Sequence, residues 1–165
     1  MNLEHMDFEK LKEKVAKAKA SGIDLSTEED LSIAVMNLLS LEEHFFFTGA
    51  KTNKSEYYDL LHETREIRKR LLARMIEKTE GESWCISKHL LATVMRLMEV
   101  GTKLQSNGKK DLAKETFEYA YKIYNIFFAL RLKIIKTKDV VGLVSTEKPM
   151  SLDDIMKNLV DCCKE

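Results

Sequence analysis

Apolar residues recur at three- and four-residue spacings over most of this chain, the period of amphipathic helices rather than strands. The first such stretch, about Met6 to Ala20, puts Phe8, Leu11, Val15 and Ala18 on one stripe and ends at Ser21 and Gly22. Glycine there can take the left-handed conformation that closes a helix. Ser26 followed by Glu29 has capping-box spacing and predicts a second helix from Ser26 to about Ala50. A third is expected from Ser55 to Thr79, and a fourth from Ser83 to Ser106, closed by Asn107 and Gly108. The fifth, from Lys110 to Ile135, carries Leu112, Thr116, Ala120, Ile123, Phe127, Leu130 and Ile134 on one side and Lys114, Glu118, Lys122 and Lys133 on the other.

The helical period then lapses through Val140, Val141, Gly142 and Pro149, so 136–150 reads as a linker. It resumes at Leu152, Ile155, Met156, Leu159, Val160 and Cys163, which predicts a short terminal helix over 151–165 with one face almost wholly apolar. Such a face has to dock on its own bundle, on another subunit or on a partner. The expected fold is all-α: an antiparallel bundle of four long helices over 26–135, with short N- and C-terminal helices, in a single domain spanning 1–165.

Across the fourth and fifth helices, Leu97, Val100, Gly101, Leu104, Gly108, Ala113, Phe117 and Ala120 place small residues where two antiparallel helices must approach closely. This pattern resembles the tetratricopeptide repeat. Gly101 would face Ala120 or its neighbours while Phe117 fills the gap between the helices. The likeness covers about 34 residues. It departs from the repeat at Leu97, where an aromatic often stands, and at Asn125, where proline often closes the unit. No second copy occurs between Ser26 and Thr79. A lone unit builds no stacked concave groove, so the resemblance implies a tight helical hairpin more than a function.

Two charges interrupt apolar stripes. On the second helix Glu42 falls among Leu31, Val35, Leu38, Phe45 and Gly49; on the third, Arg68 falls among Tyr57, Leu61, Thr64, Leu71, Leu72 and Met75. An unpaired ion inside a protein costs several kcal/mol, so the two are expected either to form a register-fixing ion pair or to line a polar cavity. Pairing requires one side chain to reach about a turn along the axis. The second helix is apolar on its far side as well, with Ile33, Met36 and Phe47 opposite Leu31 and Leu38, and at least one of Phe45, Phe46 and Phe47 must face away from the core. Trp84 is expected to cap one end of the core.

Composition narrows the function classes. Lys plus Arg and Asp plus Glu both total 27. That balance lacks the footprint of a nucleic-acid binder, and the run Arg65, Arg68, Lys69, Arg70, Arg74 is accounted for as a solvated basic face. Three cysteines, Cys85, Cys162 and Cys163, make a poor disulfide framework, and the charged stretch from Met1 to Lys14 is no secretory leader. No apolar run approaches the roughly 18 residues of a membrane span. A cytoplasmic protein without cofactor is expected. Cys85 and His89, one turn apart, offer two metal ligands or a thiol with its base, and His44 and His62 could add to a polar site. The paired Glu-x-x-His motifs of ferritin-like bundles are missing; only Asp59 and His62 echo them.

The sequence therefore predicts a helical-bundle interaction or scaffold module that self-associates, with Ile33, Met36, Phe47, Leu152, Ile155, Met156 and Leu159 as contacts. The competing expectation is a ligand- or metal-binding bundle, or an enzyme, with its polar site at Glu42 and Arg68.

Overall fold

Short local signals set where each helix begins and ends. The computed structural model describes residues 8–76 and 81–137. Its regular elements are α1 (Phe8–Ala20), α2 (Leu25–Thr52), α3 (Glu56–Met75), α4 (Glu82–Ser106) and α5 (Lys110–Arg131), with no strand among the described residues. The fold is an all-α bundle. Of the expected linker only Lys136 and Thr137 are described; the predicted terminal helix, with Leu152, Ile155, Met156 and Leu159, lies outside the described residues.

Three boundaries differ from the sequence reading. Ser26 does not cap α2: the Asp24 carboxylate accepts from the backbone N–H groups of Ser26 and Thr27, at 3.1 and 3.3 Å. An aspartate two residues upstream serves the same orphan donors, and its charge suits the positive end of the helix dipole. α3 ends at Met75, short of Thr79, with Ile76 already extended. α5 stops at Arg131 rather than Ile135. Lys133 takes a left-handed φ of 56°. Its N–H bonds the Leu130 carbonyl at 3.0 Å, and the Ile134 N–H bonds the Ala129 carbonyl at 2.9 Å. These two bonds form a Schellman closure, which satisfies the last helical carbonyls and turns Ile134 and Ile135 back into the core.

α2 packs on α3, α4 on α5, and α2 on α4. The two hairpins are antiparallel: Gly49 lies against Tyr57 and Tyr58, and Gly101 lies against Phe117. One core joins Val35 and Met36 of α2 with Leu72, Met75 and Ile76 at the end of α3, Leu91 and Val94 of α4, and the run Ile126 to Leu130 of α5. That run is buried residue by residue, so α5 is amphipathic only in its first half and apolar all round in its second. Burying each Leu, Ile or Phe there stabilises the fold by about 1.5–3 kcal/mol. Trp84 packs half-buried against the core.

Polar ties fix the ends. Arg131 of α5 grips Glu28 of α2 through Nε and Nη2, at 2.7 and 3.1 Å. The Ser32 and Tyr124 hydroxyls share a hydrogen bond of 2.6 Å. Lys14 Nζ of α1 donates to the Ile134 carbonyl at 2.8 Å, holding α1 against the closing turn of α5.

Candidate interaction groove and polar pairs

The structure brings Glu42 and Arg68 into direct contact. Arg68 Nε donates to Glu42 Oε1 at 2.7 Å and Nη2 to Oε2 at 3.1 Å. Arg68 is 3% exposed. The Gly49 contacts with Tyr57 and Tyr58 set a hairpin register in which position 42 lies nearly a turn from 68, and the long arginine side chain spans the difference. Both carboxylate oxygens and two arginine nitrogens are consumed by the pair. The arrangement suits a lock between α2 and α3 and offers a ligand little.

His44 and His62 are exposed, the first with its ring edge-on to Phe45. Cys85 and His89 are exposed on α4. No three His, Cys, Asp or Glu side chains among the described residues are grouped to hold a metal ion. The basic run on α3 is partly spent, since Arg68 is buried on Glu42 and Lys69 Nζ bonds Glu66 at 2.7 Å. The Lys69 hydrogen bond holds the Glu66 carboxyl below its usual range.

A large apolar concavity lies elsewhere, between α2, α4 and α5, with a volume of about 490 Å³. Ile33 and Met36 contribute from α2, Val94, Met95 and Met98 from α4, and Phe117, Ala120, Tyr121 and Tyr124 from α5, with Glu29 and Asn37 at the rim. Met36, Val94 and Ala120 form a buried floor, whereas Ile33, Met98, Phe117 and Tyr121 remain between 37% and 45% exposed. Met36 is therefore not the outward-facing residue that its position opposite Leu31 suggested: it is buried, at the base of the groove. The α4 and α5 residues of the groove were not picked out as contacts from the sequence, although Phe117 and Ala120 had been marked as close-packing positions.

The groove has a local cause. Gly101 lets the Phe117 ring lie directly on the α4 backbone, where a Cβ would overlap it. The ring thus forms a wall between α4 and α5. A shallower cavity of about 450 Å³, lined by Gln105, Lys110, Lys114 and Glu118, shares Phe117 and Tyr121 with the groove and extends it along α5.

A second apolar area lies at the far end of the α2–α3 hairpin. Phe46 and Phe47 are 50% and 49% exposed, their rings edge to face at 5.2 Å, and Tyr58 is exposed over Gly49 one turn away. α2 is thus left uncovered by the other described residues along part of its length. No helix among the described residues is long and apolar enough to cross a membrane. No protein-family model, curated protein or solved structure matches the chain.

Proposed function

We propose that this chain is a non-catalytic protein–protein interaction module that receives an amphipathic helix in the groove between α2, α4 and α5. One observation carries the reading: four large apolar side chains on three helices, Ile33, Met98, Phe117 and Tyr121, are left half-exposed around a buried floor. A helix seated in such a groove presents side chains at i, i+3, i+4 and i+7, and three lining methionines adapt to different shapes. Self-association belongs to the same reading, with the Phe46 and Phe47 edge as a second contact.

Selection from a displayed library of amphipathic helical peptides tests the groove. Bound peptides are expected to lose about 2 kcal/mol, some thirtyfold in affinity, when Met98→Asp places a charge at their contact. Selected helices that bind Ile33→Asp and Met98→Asp variants as well as the parent would overturn it.

A further inference from the structure

We infer that the groove is occupied by the chain's own C-terminal segment, Leu152 to Cys163, folded back in cis, so that any outside helix must displace it. The inference rests on the groove reading above and names the helix that fills it. The segment's apolar residues, Leu152, Ile155, Met156, Leu159, Val160 and Cys163, repeat at three- and four-residue spacings, the pattern that the groove accepts. As a helix, these 12 residues span about 18 Å. The groove runs about 12 Å along α2 from Glu29 to Asn37, and the adjoining shelf to Lys110 supplies the remaining length.

Connectivity favours the same assignment. The described chain ends just beyond Ile134 and Ile135, which are anchored in the core. It does so close to Arg131, whose partner Glu28 adjoins the groove residue Glu29. Fourteen residues separate Thr137 from Leu152 and reach up to about 45 Å when extended, ample to enter the groove from either end. A tether of this length supplies an effective concentration on the order of 1 mM, so an intrinsic affinity of only about 0.1 mM closes the groove roughly ten times out of eleven.

Met98 reports on the groove from inside it. The experiment oxidises the full chain with dilute peroxide and follows Met98 sulfoxide by peptide mass spectrometry, in the parent and in an Ile155→Asp/Leu159→Asp double variant. Both substitutions lie outside the described residues. Slow oxidation in the parent is expected, about tenfold faster oxidation in the variant, and recovery of protection when a synthetic peptide of residues 150–165 is added to the variant. Protection in the parent should persist through a hundredfold dilution, as expected of a tethered ligand. Equal rates in parent and variant overturn the inference. Protection that disappears on dilution overturns it too, in favour of a second copy's segment. In either case the groove reading survives if an unrelated amphipathic peptide shields Met98 in the variant, and falls with the inference if no peptide does.

Discussion

Arg68 is a guanidinium sealed inside the α2–α3 hairpin, and among the described residues its charge is compensated by one carboxylate. Removing either partner strands the other in a medium that solvates it poorly. Glu42→Ala is therefore expected to cost about 3–5 kcal/mol in denaturant unfolding, whereas Glu42→Met with Arg68→Leu, which removes both charges and keeps the volume, costs far less. If the double variant is as damaged as the single one, the pair is not the reason for the loss. Asp24 makes a different kind of residue-level prediction. The Thr27 hydroxyl, then the Thr27 and Ser26 backbone N–H groups, hold its carboxyl below the usual 3.8. A folded-state value under the unfolded one means that this stabilisation is full above 3.8 and is lost as pH falls through the lower folded value. Asp24→Asn keeps a capping oxygen but has no charge to lose. Its melting temperature should thus converge on the parent's as acid is added below that range, and parallel acid profiles would show that the cap is electrostatically inert.

At the scale of elements, the α4–α5 hairpin depends on one missing methyl group. Placing Ala at 101 gains about 1 kcal/mol of helix propensity but must expel the Phe117 ring from the α4 backbone, at about 1–3 kcal/mol. Gly101→Ala is expected to be neutral or destabilising in the parent and stabilising by about 1 kcal/mol in a Phe117→Ala background. Unfolding free energies of the four proteins give the coupling directly, and additive effects would separate the glycine from the ring. The close approach at Gly101 was legible in the sequence from small and aromatic residues at helical spacing, although Ala120 or its neighbours, and not the Phe117 ring, were expected to face the glycine. The end of α5 was not. Ile134 and Ile135 continue the apolar period past Arg131, so spacing alone extends the helix; the Schellman closure at Lys133 uses a lysine in a conformation usually given to glycine and leaves no compositional mark. The cap of α2 was misplaced for a related reason: Asp24, Ser26 and Thr27 all can cap, and only the backbone decides among them.

For the whole molecule, the four long helices were readable from their period, and the Glu42–Arg68 pair from two charges on facing stripes. The groove was not, because its walls come from three helices whose order in space is set by packing: nothing in the spacing of Ile33 or Met98 says that α4 lies beside α2. The same assembly leaves the Phe46 and Phe47 edge outside every interhelical layer formed by the described residues. Each phenylalanine keeps about 100 Å² of apolar surface in solvent, and a twofold contact counts every residue twice. At about 25 cal/mol per Å² this is several kcal/mol available to a dimer, before the cost of association is subtracted. Size-exclusion chromatography with light scattering at high micromolar concentration should then show a dimer. Phe46→Ser with Phe47→Ser should weaken it at least about a hundredfold while leaving the unfolding temperature of the monomer nearly unchanged, since neither ring supports the core. A parent chain that runs as a monomer under those conditions removes self-association from the proposal, while the groove, farther along α2 and with its own probe at Met98, still stands or falls by peptide binding.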